Sequence, residues 1–160
     1  MKRAASAALF VLISLCSGST PQVLLSQRYK QFNSYIQTGD AKSMSSWLER
    51  NCAGKFSYTS FQKAKFDRAG YIAGVLGQIK QTQKVLKSLM AVRSFQRTGN
   101  SIVATVASDF KGQILYDTRK LIITDQSVTN ETWFLVKKEW ILRSVVQVSN
   151  ETQVHDEDGD

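Results

Sequence analysis

Side chains that carry acid–base or metal chemistry are few in this chain. The single histidine, His155, lies among acidic residues near the end of the sequence, and the two cysteines, Cys16 and Cys52, are far apart. A Ser-His-Asp triad, a Cys-His pair or a zinc cluster needs residues that the body of the chain does not have. We therefore expect no metal and no cofactor.

Carboxylates and phenols remain as candidates. Asp109 lies late in an apolar run, in phase with Val103 and Ala107. A buried carboxyl group has a raised pKa and can act as a general acid or base, and a tyrosine such as Tyr116 can donate a hydrogen bond to a developing oxyanion. Asp109 and Tyr116 are therefore the candidate catalytic residues. The alternative is that Asp109 is exposed at a strand end near Gly112.

Four further residues are candidates for ligand binding. Tyr29 and Tyr58 combine an aromatic face with a hydrogen-bonding hydroxyl, Trp133 lies in an apolar strand, and Arg143 interrupts the last apolar run. An arginine in that position could orient an anionic ligand. Packing in the core or in a dimer interface is the alternative for the aromatic residues, and exposure on an outer face is the alternative for Arg143.

The first half of the chain predicts three helices. Thr20 and Pro21 form a capping hydroxyl and a first-turn proline, and Gly39 with Asp40 predicts the end of this helix and the cap of a second one, over 41–50. Asp67 predicts the cap of a third helix. The first helix carries one apolar stripe, Leu25, Tyr29, Phe32 and Ile36.

The second half changes to a period of two, which predicts a meander of long antiparallel strands. The expected strands are 85–97, 102–110, 113–124 and the closing pair within 132–148, after a short strand at 55–60; 125–130 is expected to be a polar loop. The stretch 131–149 is apolar on both sides near its turn, so one face needs cover. We expect the helices to provide it.

The first residues predict that the protein is exported from the cytoplasm. Lys2 and Arg3 precede an apolar run that is too short to span a membrane, and small residues follow it. We expect 1–19 to be a bacterial signal peptide, 20–150 one domain and 151–160 a disordered acidic tail. The product would be secreted or periplasmic, meeting the membrane only during export. Lipidation of Cys16 is the less favoured alternative, since Leu15 occupies a position where a lipobox has a small residue.

The charge of +8 indicates a basic body, because five of the 13 acidic residues lie in the last ten positions. The basic residues are scattered and lack interleaved aromatic residues, so we expect no nucleic-acid partner. A basic module that binds anionic envelope surfaces is one alternative function. Such binding would depend strongly on salt.

The order of elements resembles the nuclear transport factor two-like superfamily, also called SnoaL-like or cystatin-like. The residues that carry the resemblance are Thr38-Gly39-Asp40-Ala41, Glu131-Thr132-Trp133 and Glu139-Trp140-Ile141-Leu142. The resemblance covers roughly 21–149. It implies an α+β fold in which three N-terminal helices pack on a strongly curved antiparallel sheet, forming a cone with a pocket, and homodimerisation through the sheet.

Fold alone does not choose a function, since the superfamily includes isomerases, dehydratases, cyclases and noncatalytic domains. The missing catalytic motifs favour an exported, noncatalytic domain that binds a small apolar or anionic molecule, or a protein. The alternative is a cofactor-free isomerase, dehydratase or cyclase that uses a carboxylate and a tyrosine.

Overall fold

The computed structural model describes residues 20–156; the predicted signal peptide and residues 157–160 lie outside this range. Three helices are present in it, α1 (Pro21–Thr38), α2 (Ala41–Asn51) and α3 (Arg68–Gln81). Six strands complete the fold: β1 (Cys52–Thr59), β2 (Lys65–Asp67), β3 (Thr82–Thr98), β4 (Ser101–Tyr116), β5 (Arg119–Val136) and β6 (Glu139–Asp156).

The helix boundaries follow the predicted caps. The side chain of Thr20 accepts a hydrogen bond from the backbone N–H of Val23 in α1. Gly39 ends that helix with φ 66, a left-handed conformation that glycine adopts without steric cost. Asp40 caps α2 by accepting from Ser43 N at 2.9 Å. Asp67 caps α3 by accepting from Gly70 N at 2.8 Å. All three predicted helices are therefore confirmed.

The strands form one sheet in the order β2-β1-β6-β5-β4-β3. All neighbours are antiparallel except β1 and β6, which are parallel. The predicted α+β class, with helices on a curved and mainly antiparallel sheet, is confirmed. The helical cover expected for the closing hairpin is also present, because Trp133 and Leu142 are buried in the core with Leu25 and Tyr29 of α1.

Bulges account for the curvature of the sheet. The register of β3 against β4 shifts at three places, and that of β6 against β5 shifts at two. Each extra residue bends and twists its strand locally. At one shift in β6, Arg143 is the extra residue, and the inward-facing positions change from Trp140 and Leu142 to Val145.

Three predictions about the second half are wrong. Residues 125–130 are not a loop: they continue β5 and pair with β4 on one side and β6 on the other, so ladder hydrogen bonds outweigh their polar composition. The hairpin turn lies earlier, at Asp117 with φ 54 and Thr118, and it divides the predicted strand 113–124 between β4 and β5. Residues 151–156 are not a disordered tail either, since they extend β6 and pair with 121–126 of β5.

Candidate functional site

A cavity of about 320 Å³ lies between the helices and the concave face of the sheet. Helices α1 and α3 contribute Phe32, Tyr71 and Val75 to its wall, and the sheet contributes Met90 and Phe110. Polar side chains of β5 complete the wall. Because side chains alternate across a strand, Asp125, Ser127, Thr129 and Glu131 all face inward from it.

Glu131 is the best-buried polar residue of the cavity wall, with 3% of its surface exposed. Its Oε2 accepts hydrogen bonds from the hydroxyl of Tyr29 and from Nε1 of Trp133, the latter at 3.2 Å. Its Oε1 accepts from the hydroxyl of Thr129, also at 3.2 Å. A carboxylate has about four acceptor positions, so one on Oε1 remains for a ligand or for a proton.

Burial raises the pKa of Glu131 to about 7, because desolvation disfavours the charged form. The hydrogen bonds from Tyr29, Thr129 and Trp133 favour the charged form and partly oppose this rise. Glu131 therefore exchanges its proton close to neutral pH. A carboxyl group with these properties can act as a general acid or base, or as an acceptor for a ligand.

Two further tyrosines face the cavity. Tyr58 and Tyr71 stack with their ring centroids 5.3 Å apart, and the hydroxyl of Tyr58 donates to Oε1 of Gln147 at 3.0 Å. Burial, followed by the charge of Glu131, raises the pKa of Tyr71 well above its usual value. The hydroxyl of Tyr71 makes no hydrogen bond within residues 20–156. It is therefore a neutral donor that remains available in the cavity.

Three of the residues predicted from sequence lie beside Glu131 or in the cavity wall. Tyr29 and Trp133 both hold Glu131, and their rings meet edge to face with centroids 6.4 Å apart. Tyr58 lines the cavity directly. Tyr29 is buried behind Glu131, so it positions this carboxyl group from the core side.

The other three predicted residues lie elsewhere. Asp109 projects from the convex face of the sheet and pairs with Lys87, and Tyr116 is 58% exposed at the end of β4. For Asp109 the reason is strand phase. The inward positions of β4 are the even-numbered Ile102, Ala104 and Val106, and Asp109, at an odd-numbered position, faces the other side. Asp109 and Tyr116, the candidate catalytic residues, therefore lie outside this cavity.

Arg143 also lies outside the cavity. It is exposed at the bulge in β6, and its guanidinium lies 6.0 Å from the ring centroid of Phe134, on the outer face. It does not reach a ligand in the cavity. Glu131 was absent from the predicted site, although one signal was available: it stands two residues before Trp133, in phase with it, on a strand whose inner face is buried.

Residues 20–156 contain no group of three or more His, Cys, Asp or Glu side chains that could hold a metal ion. Within the same residues, no helix has both the length and the apolar character needed to cross a membrane. The buried Cys52 has a pKa raised to about 12, mainly by desolvation, so its thiol stays protonated and unreactive.

Comparison with known proteins rests on structure alone, because neither a protein-family model nor a curated protein sequence matches the chain. An NTF2-like protein from Cytophaga hutchinsonii is 12% identical, with a TM-score of 0.56 over 81% of this chain and 98% of that one. A candidate scytalone dehydratase from Novosphingobium aromaticivorans is 8% identical, with a TM-score of 0.61 over 81% and 83%.

A candidate dehydratase of the NTF2-like family from Streptomyces avermitilis is 16% identical, with a TM-score of 0.56 over 79% of this chain and 92% of that one. Identities this low establish a shared fold and no shared activity. The resemblance seen in the sequence is confirmed at that level: the chain has the NTF2-like α+β fold.

Proposed function

We propose that the protein binds a small molecule in the cavity of its concave sheet, with a polar group of the ligand directed at Glu131. The observation that carries this proposal is the combination of an apolar, aromatic wall with a few converging polar groups, which is typical of ligand sites. The free acceptor position on Glu131 and the free hydroxyl of Tyr71 are the groups that would orient the ligand.

Binding can be tested with N-phenyl-1-naphthylamine, a neutral dye whose fluorescence rises in apolar surroundings. Gly74 lines the cavity, and a Cβ atom added there meets nothing within 4 Å, so Gly74→Leu introduces a side chain at the cavity wall. Gly77 lies in the same helix with equally open surroundings but does not line the cavity, so Gly77→Leu is the matched control.

We expect the dye to bind the wild type and Gly77→Leu with equal affinity. Its affinity for Gly74→Leu should be lower by about tenfold or more, and tenfold corresponds to about 1.4 kcal/mol. Equal dye affinity in all three proteins would place the dye outside the cavity and contradict the proposal. Urea unfolding of both variants checks that each remains folded.

A cofactor-free acid–base enzyme is the second candidate, and the exposure of Glu131 and Tyr71 to one cavity favours it. Glu131 would accept a proton from a carbon next to a carbonyl group, while the Tyr71 hydroxyl would donate a hydrogen bond to the carbonyl oxygen as it becomes an enolate. Return of the proton from Glu131 to another carbon would be an isomerisation, and its transfer to a β-hydroxyl group, which leaves as water while a carbon–carbon double bond forms, would be a dehydration.

Deuterium exchange at the α-carbons of 2-tetralone, followed by proton NMR, tests this chemistry. The wild type is expected to accelerate the exchange, Glu131→Gln to abolish the acceleration and Tyr71→Phe to reduce it. Asp109→Asn is the control, because Asp109 lies on the opposite face of the sheet. Exchange at the buffer rate with the wild type would leave binding as the function.

We also propose export and dimerisation. Export rests on the predicted signal peptide, and the N-terminal residue of protein purified from its source tests it: a start near residue 20 supports cleavage, whereas a lipid on Cys16 supports anchoring. Dimerisation rests on apolar side chains of the convex face, of which Leu89 is 50% exposed and Val103 47%. A sedimenting dimer that becomes a monomer on Val103→Lys would support it, whereas a wild-type monomer at micromolar concentration would contradict it.

A further inference from the structure

Charged groups on the cavity wall all have the same sign. Asp125 and Glu131 line the cavity, and within residues 20–156 no lysine, arginine or histidine does. The chain as a whole carries a charge of +8, so the lining differs from the composition of the protein. An anionic ligand would lie beside carboxylates with no cation to compensate its lost hydration, which is costly.

The two carboxylates lie far apart along one wall. They are six residues apart on β5 and face the same side, which corresponds to about 20 Å along the strand. Glu131 is at the buried end, whereas Asp125 is half-buried and accepts a hydrogen bond from Thr152 at 2.6 Å. Acceptors therefore occur at both ends of the cavity wall, with the hydroxyls of Ser127 and Thr129 between them.

Aromatic rings supply most of the remaining wall. The rings that line the cavity are Phe32, Tyr58, Phe66, Tyr71 and Phe110. The face of an aromatic ring carries negative electrostatic potential and attracts an organic cation within about 6 Å, while the ring also packs against apolar groups. Aromatic faces together with carboxylates, and without basic side chains, suit one chemical class of ligand.

We infer that the cavity takes an organic cation, an amine or quaternary ammonium group carried on an apolar body. The ammonium group lies against Oε1 of Glu131, the apolar body lies along the aromatic wall, and Asp125 attracts the cation at the half-buried end. This inference rests on the proposed binding function and names its ligand class. It replaces the anionic ligand that Arg143 suggested, because Arg143 lies on the outer face.

Three probes of similar shape test the inference by calorimetry: 2-(2-naphthyl)ethylamine, 2-(2-naphthyl)ethanol and 2-naphthylacetate. At about pH 8 the amine is protonated and Glu131 is mostly ionised. We expect the amine to bind at least about tenfold more tightly than the alcohol, and the carboxylate to bind most weakly. In Glu131→Gln the affinity for the amine should fall close to the affinity for the alcohol. In Asp125→Asn the preference for the amine over the alcohol should fall severalfold.

Asp109→Asn removes the same charge from the convex face and should leave the preference unchanged at physiological ionic strength. If Glu131→Gln fails to fold, the wild type still gives a decisive measurement. Near pH 6, binding of the amine should release a proton from Glu131, seen as a dependence of the binding heat on the ionisation enthalpy of the buffer, whereas binding of the alcohol should release none.

The outcomes separate the two proposals. Equal binding of amine and alcohol, or tighter binding of naphthylacetate, overturns the organic cation while leaving small-molecule binding intact. Amine binding that Asp109→Asn weakens as much as Asp125→Asn also overturns it, because the attraction would then be that of overall charge. Failure of all three probes, together with equal dye affinity in the Gly74→Leu and Gly77→Leu variants, contradicts the binding function itself.

Discussion

The hydroxyl of Tyr29, on α1, donates a hydrogen bond to the carboxyl group of Glu131 and thereby affects its pKa. Tyr29→Phe removes this donor and keeps the ring, which is buried against Trp133. A hydrogen bond to a charged group contributes about 1.5–3 kcal/mol, and 1.36 kcal/mol corresponds to one pKa unit, so the loss corresponds to about one to two units. Since Trp133 and Thr129 still donate, we expect the pKa of Glu131 to rise from about 7 to roughly 8.

Carbon-13 NMR measures this pKa directly. The chain has five glutamates, so a protein labelled at the glutamate side-chain carboxyl gives few resonances, and Glu131→Gln identifies the one that belongs to Glu131. Tyr35→Phe is the matched control, because Tyr35 lies on the same helix, packs against the core and is not among the hydrogen-bond donors to Glu131 within residues 20–156.

The direction of the shift decides the outcome. A pKa of Glu131 that is unchanged or lowered in Tyr29→Phe would refute the hydrogen bond as the link between α1 and the site. A rise of equal size in Tyr35→Phe would mean that helix packing, rather than this hydroxyl, sets the pKa. Because the variant disfavours the ionised carboxyl, it should also lose more stability at about pH 9 than at about pH 5.

Four further predictions concern stability measured by urea unfolding. Burial raises the pKa of Glu131 in the folded state from 4.5 to about 7. The contribution of the protonated carboxyl group to the free energy of unfolding is therefore fully present below pH 4.5 and is lost as the pH rises to about 7. Glu131→Gln should remove this pH-dependent decrease of roughly 3 kcal/mol. Asp67→Ala removes the cap of α3 and should lower the free energy of unfolding by about 1 kcal/mol. Gly39→Ala should lower it by about 1–2 kcal/mol because Gly39 has φ 66, whereas Gly74→Ala, inside a helix, should raise it by up to about 1 kcal/mol.

The predictions for Glu131, Asp67 and Gly74 each have a further check. An unfolding free energy of Glu131→Gln that falls as steeply as that of the wild type over the same pH range would assign the fall to other groups. Asp67→Asn keeps a capping oxygen and should retain most of the stability that Asp67→Ala loses. Loss of stability in Gly74→Ala would mean that the added methyl group is not accommodated at the cavity wall.

Local signals in the sequence were sufficient for the helices. A cap is made by residues within a few positions of each other, so Asp40 and Asp67 predicted helix starts that the structure has, and Gly39 predicted a helix end. The fold class followed from the order of these elements and of the strands after them. The parallel pairing of β1 with β6 joins residues about 90 positions apart, and no local pattern encodes it.

The register of the strands was not predictable in the same way. A strand that shifts by one residue turns every side chain to the other face, and the bulges of β3 and β6 introduce such shifts within a strand. Asp109 and Arg143 were candidates for the pocket, with exposure as the alternative for each, and both lie outside it. Only the pairing partners, Leu89 for Asp109 and the bulge for Arg143, settle which face each residue occupies.

The wrongly predicted loop and the missed carboxyl group have one cause. In 125–131 the inward positions of β5 are polar, and so are the outward Gln126 and Asn130, whereas a strand that packs on an apolar core has apolar inward positions. Such inward polar groups are unfavourable against apolar side chains but not against a cavity that holds water or a polar ligand. The polar run that suggested a loop is thus the cavity wall itself. A polar stretch with apolar residues on both sides of it in one strand is the sequence signal of such a wall, and Glu131 lies where this stretch meets the core.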